Sequence, residues 1–464
     1  MDLLLAHGYY LHEDPHELAV MKPYPPLGIL YISAYLKSRG FSVGVFDSTF
    51  RKPVDFDAML AAERPTVVGL YCNLMTKFNI LAMMAAAKQA GARVVLCGPE
   101  PPYYAEEYLA RGADVVVIGE GEKAMEELIA QMAARGPNDL GHVSGIVFRD
   151  GAGKFVRTPP RPMIKDLDAL PFPDREAIDL PEYVRVWREH HGRGSVSLIC
   201  ARGCPYHCDW CSHSVYGETH RRHSPARMAD EVQTIVERYR PDQLWYADDV
   251  FTIKHSWFFD YAAELERRNL RLPFECISRA DRLNERVVET LSKMGCYRLW
   301  IGSESGSQRV LEAMRREVSV EAVQAMTHLC RRHGIEVGMF IMLGYDGEEE
   351  SDIAATVDHL KRANPDVFLT TVAYPIKGTG YYKKVEGKVL ARSNWELRTD
   401  RDLTVAGRHS RRYYESAIRW MVGEVNLHKQ LSNGRKDVGQ IAKSAANAVR
   451  GRMGMIMTRD ELER

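Results

Sequence analysis

Three cysteines close together near the middle of the chain carry the clearest chemical signal. Cys204, Cys208 and Cys211 form a C-x3-C-x2-C pattern on one short loop, so their thiolates can face a single metal centre. A zinc site normally needs four ligands in paired C-x2-C spacing, and only His207 or His213 lies near enough to complete one. Thiolates are the usual ligands of iron–sulfur clusters, and three of them leave one iron of a four-iron cluster open to another ligand. We therefore expect these cysteines to be the catalytic metal ligands of a 4Fe-4S cluster.

The remaining cysteines and the composition argue against several classes of protein. Nine cysteines in 464 residues are too few, and odd in number, for a disulfide scaffold. Cys200 lies at the end of the predicted strand 195–199 and is expected to be a buried apolar side chain. Lysine plus arginine and aspartate plus glutamate number 62 each, so the net charge points neither to nucleic acid nor to an acidic substrate. Because the chain shows no apolar run of about 18 residues and no basic N-terminal leader, we expect no transmembrane segment, no signal peptide and a cytoplasmic protein.

Residues 1–135 alternate short apolar runs with helical patterns. This alternation predicts parallel βαβ units and a doubly wound, Rossmann-like sheet, with ligand sites in the loops after the strands. The fold class that we expect is α/β, in which this sheet is followed by a partial (βα)6 barrel and a small, mainly helical C-terminal region. The predicted strands of the first domain are 3–6, 42–46, 67–71, 94–97 and 114–118.

Residues 136–190 look like a linker, and the alternation of strands and helices resumes over residues 191–385. In the linker, residues 145–158 read as a β-hairpin, and prolines then mark an extended segment. Six strand–helix units follow, which fit a partial barrel better than a full barrel of eight. The predicted barrel strands are 195–199, 243–246, 273–277, 298–301, 337–343 and 367–372.

Residues 386–464 lose this pattern and are expected to form a helical, basic C-terminal region. Between residues 405 and 453, ten lysines and arginines stand against three acidic residues. Such an excess is typical of a solvated helical face. The alternative is a surface for an anionic substrate or for membrane headgroups.

The cysteine loop and its surroundings resemble the radical S-adenosylmethionine (SAM) superfamily, whose signature is this loop on a (βα)6 barrel. Trp210 stands where members place an aromatic residue before the third cysteine, and Arg202-Gly203 precedes the first. In that family the open iron chelates the amino and carboxylate groups of SAM. One electron from the cluster then cleaves the sulfonium bond and releases a 5′-deoxyadenosyl radical. The resemblance therefore implies SAM as a cofactor and an electron donor such as flavodoxin or ferredoxin.

The same resemblance implies SAM-binding roles for residues at the ends of the predicted barrel strands. Asp248 and Asp249 would hold the methionyl ammonium, and Arg279 would pair with the carboxylate through its planar guanidinium. Glu304 would accept the ribose hydroxyls, and Trp210 would form a wall against the adenine. Helix caps, turns and core packing are the alternative roles of these residues. The full predicted set is Trp210, Asp248, Asp249, Arg279, Ser303, Glu304, Ile341 and Gly344.

The first domain resembles the cobalamin-binding domain that precedes the barrel in cobalamin-dependent radical SAM enzymes. The likeness rests on motifs at residues 25–28, 36–41, 97–101 and 114–122, although Glu100 stands where that family commonly has histidine. His16 approaches the motif of a histidine that coordinates cobalt. The alternative is a cobalt that has no histidine ligand and whose lower face is covered by side chains near residues 73–76. The predicted cobalamin contacts are Asn73, Leu74, Met75, Thr76, Gly98, Pro99, Glu100, Gly119, Glu120 and Gly121.

Together these resemblances imply a cobalamin-dependent radical SAM methyltransferase acting on an unactivated carbon of a small-molecule substrate. The deoxyadenosyl radical would take a hydrogen atom from the substrate, and methylcobalamin would supply the methyl group. One alternative is a non-methylating radical enzyme, such as an oxidative cyclase of the magnesium-protoporphyrin ester type, a ring-contracting enzyme or a lipid-tailoring enzyme of the hopanoid type. A non-enzymatic sensor of SAM or tetrapyrrole is another. No motif in the sequence identifies the substrate.

Overall fold

A computed structural model describes residues 1–135, 140–432 and 437–464. The chain divides into two compact units, the first made of residues 1–205, 212–247 and 267–272 and the second of residues 206–211, 248–266 and 273–464. Two segments lie outside the described residues: 136–139, at the start of the predicted linker, and 433–436, within the predicted basic region. The predicted domain boundaries remain predictions.

The first unit contains a sheet of five parallel strands extended by an antiparallel hairpin. Along the sheet the strands follow the order β2-β1-β3-β4-β5-β6-β7. The parallel part has the 2-1-3-4-5 order of flavodoxin-like doubly wound folds, whose ligands bind where β1 and β3 diverge. The linker hairpin thus forms as predicted and also joins the sheet, which the sequence pattern did not indicate. These strands are β1 (Leu3–His7), β2 (Val43–Phe46), β3 (Val67–Tyr71), β4 (Arg93–Cys97), β5 (Val115–Val117), β6 (Ile146–Arg149) and β7 (Phe155–Arg157).

The helices of this sheet pack on it through apolar side chains. Ile29 and Leu36 share one buried cluster with Leu3, Leu5 and Leu128, which is why the strands read as continuous apolar runs. The helices are α1 (Pro15–Val20), α2 (Leu27–Ser38), α3 (Pro53–Glu63), α4 (Lys77–Gln89), α5 (Ala105–Ala110), α6 (Gly121–Arg135) and α7 (Leu180–His191). Short 3-10 helices lie at Leu11–Glu13, Pro101–Tyr103 and Arg175–Ala177.

The predicted strand–helix repeats begin within the first unit. Strands β8 and β11 pair in parallel, while β9 and β10 form a short antiparallel pair beside the cysteine loop. Helix α8 starts after Ser224, whose side chain accepts a hydrogen bond from the Arg227 backbone N–H. The bounds are β8 (Ser195–Leu198), β9 (Ala201–Arg202), β10 (Arg221–Arg222), α8 (Pro225–Tyr239) and β11 (Gln243–Tyr246).

In the second unit the repeats continue with four parallel strands, each paired with the next. All six predicted barrel strands form within about two residues at most of their predicted ends, except that the fourth is longer in both directions. The strands are β12 (Phe274–Ser278), β13 (Cys296–Glu304), β14 (Glu336–Leu343) and β15 (Val367–Val372), and the helices are α9 (His255–Arg267), α10 (Glu285–Met294), α11 (Gln308–Ala313), α12 (Val320–Arg332), α13 (Glu350–Ala363) and α14 (Gly380–Val385).

The C-terminal region is helical, as predicted, and two long helices dominate it. A short antiparallel pair precedes them, formed by β16 (Val389–Leu390) and β17 (Thr404–Val405). The long helices are α15 (Arg411–Ser432) and α16 (Val438–Met457), and the 3-10 helices of this unit are Ala280–Arg282, Glu386–Lys388, Trp395–Leu397 and Asp400–Asp402. Among the described residues, no helix combines the length and the apolarity needed to cross a bilayer.

Candidate active site

The cysteine loop leaves the first unit through a glycine that no other residue can replace without strain. Gly203 has φ +85°, and a Cβ at this position would lie 2.3 Å from the backbone oxygen of Thr219. The close approach holds the start of the loop, where Cys204 is half-buried, against the segment that follows the loop. A glycine is therefore required immediately before the first predicted ligand.

The second predicted ligand, Cys208, is buried among positive charges of the second unit. Its Sγ accepts hydrogen bonds from Nη1 of Arg279 and Nη1 of Arg316, each at 3.7 Å. Both arginines are buried, with exposed fractions of 2% and 6%. Cationic donors stabilise a negatively charged sulfur, which is the form that binds iron. The donor set at Cys208 thus fits an iron–sulfur cluster. Cys211, the third predicted ligand, is exposed.

Arg279 was predicted to bind the SAM carboxylate, and the structure places it in contact with several groups of the protein. Its Nε donates to Oδ1 of Asp281 at 2.8 Å, and its Nη2 donates to the backbone oxygen of Arg316 at 2.8 Å. The guanidinium carbon lies 3.6 Å from the centre of the Tyr206 ring. Asp281 and Tyr206 thus hold the Arg279 guanidinium beside Cys208, and its pairing with SAM stays a prediction.

Glu304 ends β13 in a conformation that is unusual for a residue with a side chain. It has φ +63° and is 8% exposed. Burial raises the pKa of Glu304 to about 7, and the charges of Arg316 and Arg279 limit that rise. Strained backbone is concentrated at functional sites, which agrees with the predicted role of Glu304 at the ribose.

Ser303, the neighbour of Glu304, is oriented by a buried histidine. His359 Nε2 lies 2.9 Å from Ser303 Oγ, and Gln324 Nε2 lies 3.1 Å from His359 Nδ1. Burial, assisted by the charge of Arg362, lowers the pKa of His359 to about 4, so the ring is neutral near pH 7. Because the Gln324 amide donates to Nδ1, the ring proton lies on Nε2 and is donated to Ser303.

The residues predicted to meet the adenine lie at the end of β14 and beside it. Ile341 is buried within the strand, and Trp210 packs against an apolar cluster that includes Met342. The Gly344 N–H donates to Glu348, and its C=O accepts from Arg408. The polar backbone groups of Gly344 therefore already have internal partners. Burial raises the pKa of Glu348 to about 8.

The predicted ammonium-binding pair, Asp248 and Asp249, divides between the interior and the surface. Asp248 is 1% exposed, whereas Asp249 is exposed. The pairing of either aspartate with the SAM ammonium stays a prediction.

A cavity of about 290 Å³ opens in the first unit at the carboxyl ends of β1 and β3. This is the point at which doubly wound sheets bind their ligands. Three of the four residues predicted over the lower face of cobalt, Asn73, Met75 and Thr76, line the cavity. The Asn73 side chain holds this turn by accepting from the N–H groups of Met75 and Thr76. The wall is largely apolar and aromatic, which fits a flat macrocycle. The other lining residues are His7, Tyr9, Glu17, Lys22, Pro23, Tyr24, Pro26 and Tyr71.

His16 is not among the residues that line this cavity. It lies on α1, where its side chain is 83% exposed beside Glu17. Within the described residues, His7 is the histidine that faces the cavity, and its Nε2 is 2.9 Å from Oδ1 of Asp47. The placement favours the alternative in which residues 73–76, rather than His16, cover the lower face of cobalt.

The loop after β4 contains the predicted cobalamin contacts Gly98, Pro99 and Glu100. Gly98 has φ +108°, and a Cβ there would lie 2.3 Å from the Cys72 backbone oxygen. Glu100 is buried and accepts a hydrogen bond from the Tyr108 hydroxyl. Burial and the Glu100 charge raise the pKa of the Cys72 thiol. The structure thus gives Gly98 and Glu100 packing and hydrogen-bonding roles inside the domain.

The loop after β5 is tied to the strand that leads into the cysteines. Glu120 Oε1 accepts from Arg202 Nη1 at 2.8 Å, and Glu122 Oε1 accepts from Arg202 Nη2 at 2.6 Å. All three side chains are buried. A Cβ on Gly121 would lie 2.6 Å from the Ile32 side chain, so this glycine allows α6 to approach α2. Glu120 and Gly121 therefore have structural roles in the first unit. The predicted contact of Gly119 with cobalamin stays a prediction.

Sequence reasoning missed Arg316 and His359. Neither residue belongs to a short motif, and each contacts the site from a distant part of the chain. Sequence reasoning did identify Glu120, but not its buried pairing with Arg202.

Family models describe two parts of the chain. A model described as the B12 binding domain matches residues 19–129, and one described as the Radical SAM superfamily matches residues 198–360. The first match includes residues 73–76, and the second includes all three predicted cluster ligands.

Relatives and solved structures cover most of the chain. An uncharacterized methyltransferase of Pyrococcus horikoshii is 25% identical and covers 83% of this chain and 84% of its own. An anaerobic magnesium-protoporphyrin IX monomethyl ester cyclase of Rubrivivax gelatinosus is 24% identical and covers 84% of this chain and 71% of its own. A solved structure of the radical S-adenosylmethionine methyltransferase TsrM of Kitasatospora setae, with cobalamin and a 4Fe-4S cluster bound, has a TM-score of 0.67 at 21% identity and covers 83% of this chain and 74% of that one. The structural likeness confirms the predicted fold class.

Proposed function

Because this chain belongs to the cobalamin-dependent radical SAM superfamily, we propose that it is a methyltransferase that acts on an unactivated carbon of a small molecule. The family membership confirms the predicted cofactors, which are cobalamin, SAM and a 4Fe-4S cluster. When bound, the cluster and SAM supply a 5′-deoxyadenosyl radical, and cobalamin supplies a methyl group. The observation that carries the proposal is the presence of both cofactor domains in one chain whose relatives include a protein named as a methyltransferase.

The cysteine loop and side chains of the second unit would perform four tasks in this reaction. Cys208, with Cys204 and Cys211, would hold the cluster, and Arg279 and Arg316 would stabilise the charge on the Cys208 sulfur. Glu304 would hold the ribose of SAM. The apolar packing around Trp210 would exclude water from a reactive radical.

The side chains of the first unit would bind the corrin ring. The turn of residues 73–76 would lie against the cobalt face, and the aromatic side chains of Tyr24 and Tyr71 would contact the macrocycle. An electron donor such as flavodoxin or ferredoxin would reduce the cluster, and a cytoplasmic location would place the protein in the same compartment as such a donor.

Product analysis with labelled SAM tests the proposal. The protein is reconstituted anaerobically with iron, sulfide and hydroxocobalamin, and is then given a chemical reductant, methyl-deuterated SAM and a small-molecule extract. We expect S-adenosylhomocysteine, 5′-deoxyadenosine and a deuterated methyl product. Cys208→Ala should abolish all three, whereas Cys200→Ala, a buried cysteine outside the loop pattern, should retain them.

The second candidate is an oxidative cyclase or another non-methylating radical enzyme, which the Rubrivivax relative favours. This candidate predicts 5′-deoxyadenosine without S-adenosylhomocysteine and without transfer of the label. Formation of neither compound by the reconstituted protein would contradict both candidates.

A further inference from the structure

Helix α16 exposes large apolar side chains at its first residue and along its C-terminal half. Five large apolar side chains of this helix are between 57% and 78% exposed. A soluble helix normally turns polar residues to the solvent, so such a stripe marks an interaction surface. We define the α16 outer face by these residues: Val438, Val449, Met453, Ile456 and Met457.

The opposite side of α16 is already occupied by α15. A Cβ on Gly423 of α15 would lie 2.4 Å from the Ala448 backbone nitrogen, and a Cβ on Gly451 would lie 2.3 Å from that of Trp420. The two backbones are therefore in direct contact, and Ala448 and Met455 are buried. Because the helical repeat is 3.6 residues, this contact turns residues 449, 453 and 456 away from α15.

The charged side chains of helix α16 itself are all positive. Helix α16 contains no aspartate or glutamate, and its Lys443 and Arg450 are exposed. A third cation, Arg452, forms an ion pair with Glu350, in which Nη2 lies 2.5 Å from Oε1. Carboxylates flank the helix at its ends: Asp437 accepts from the Gln440 N–H as the helix cap, Glu461 binds Arg412, and Asp460 is exposed.

We propose that the α16 outer face docks on an anionic lipid bilayer, with its apolar side chains in the headgroup region and Lys443 and Arg450 on lipid phosphates. An apolar stripe with basic edges is the pattern of helices that lie in the membrane interface. A second copy of the chain fits less well, because a symmetric contact between two such faces would bring like charges together. Docking of this kind needs no helix that crosses the bilayer.

Flotation of the full-length protein with vesicles tests the proposal. We expect binding to vesicles that contain phosphatidylglycerol, about tenfold stronger than to pure phosphatidylcholine and weakened by salt. Met453→Gln with Ile456→Gln should lower binding about tenfold, as should Lys443→Gln with Arg450→Gln. Leu397→Gln, at an apolar residue that is 70% exposed elsewhere, is the matched control and should bind normally. Because all of these side chains are exposed, the melting temperature should not change.

Three outcomes would overturn the proposal. The first is no binding to either kind of vesicle. The second is binding that the two double variants do not reduce relative to Leu397→Gln. The third is a dimer, seen by light scattering, that Met453→Gln with Ile456→Gln dissolves, because the face would then be an interface between copies of the chain.

Discussion

At the level of single residues, the sulfur of Cys208 is set apart by its two guanidinium donors. Arg279 and Arg316 each reach it with one N–H group. Hydrogen bonds and positive charge at a cluster sulfur favour the reduced cluster, because reduction adds negative charge. The environment of this predicted ligand would thus influence how readily an electron donor can reduce the cluster.

Arg316→Gln should make the reduction potential of the reconstituted cluster more negative, on the order of 60 mV for the loss of one charge-assisted hydrogen bond. A redox titration followed by electron paramagnetic resonance measures the shift. Arg315→Gln is the matched control, because this neighbouring side chain is 59% exposed and lies 3.6 Å from Asp209 rather than at the sulfur. Equal potentials in the two variants would contradict the role of Arg316.

Glu304 should make the stability of the protein depend on pH. Its pKa is about 7 in the folded chain, against 4.5 for an unperturbed group, so the folded state binds a proton that the unfolded state lacks between these values. The free energy of unfolding should therefore be highest below the lower value and fall as pH rises through about 7. The difference between the folded and the unfolded pKa of Glu304 corresponds to a loss of about 3 kcal/mol of unfolding free energy.

Glu304→Gln removes this titration, so the unfolding free energy of the variant should fall less between about pH 5 and about pH 8. Urea unfolding at a series of pH values measures the difference. The assignment fails if the variant and the natural protein show parallel pH profiles.

At the level of elements, the start of the cysteine loop depends on Gly203. Alanine there would combine a positive φ with a contact of 2.3 Å to the Thr219 backbone oxygen. Gly203→Ala should therefore displace the loop and remove most of the iron bound after anaerobic reconstitution. Gly192→Ala is the matched control, because its φ is +73° but nothing lies within 4 Å of the added Cβ.

Iron and sulfide analysis separates these two variants. Gly192→Ala should cost about 1 kcal/mol of backbone strain and keep a full cluster. Retention of the full iron content by Gly203→Ala would show that the close approach at Thr219 does not position the ligands.

The elements themselves were largely predictable from the sequence, and their partners were not. Parallel strands covered on both sides are continuous apolar runs, so β1 and β3 could be recognised directly. The two-residue pair β9–β10 has no periodicity to detect, and the addition of β6 to β5 depends on contacts between distant residues. Helix α7 was missed although Asp179 and Pro181 form a recognisable N-terminus.

The candidate site likewise contains features that the sequence predicts and features that depend on contacts between distant residues. The spacing of the three cysteines was sufficient to predict a cluster, because that chemistry is encoded locally. Arg316 could not be predicted, since it reaches Cys208 from 108 residues away. Glu120 matched a motif, but its buried pairing with Arg202 depends on the folded first unit.

At the level of the whole chain, the buried charges around Arg202 link segments that are about 80 residues apart in sequence. Arg202→Met would leave Glu120 without one of its partners and Glu122 without the arginine, and breaking a buried pair in this way costs about 3–5 kcal/mol. Thermal or urea unfolding should show this loss. Arg185→Met removes an arginine that also binds two glutamates, but this one is 53% exposed, so its loss should lower the free energy of unfolding far less than the loss of Arg202. Similar losses in the two variants would contradict the importance of burial.

The contacts of Arg279 determine how an acid group can be recognised at this place. A guanidinium has five N–H groups, and four of those of Arg279 are directed to Asp281, Cys208 and the backbone oxygens of Arg316 and Glu317. A carboxylate that binds here can accept one hydrogen bond from the fifth N–H group. To accept a second hydrogen bond it must displace one of the acceptors that Arg279 already contacts. Asp281, which is 27% exposed, is the acceptor that can rotate outward. Two-point binding of the predicted SAM carboxylate at Arg279 would therefore exchange one carboxylate for another, and its selectivity would be set by competition with the protein's own acid.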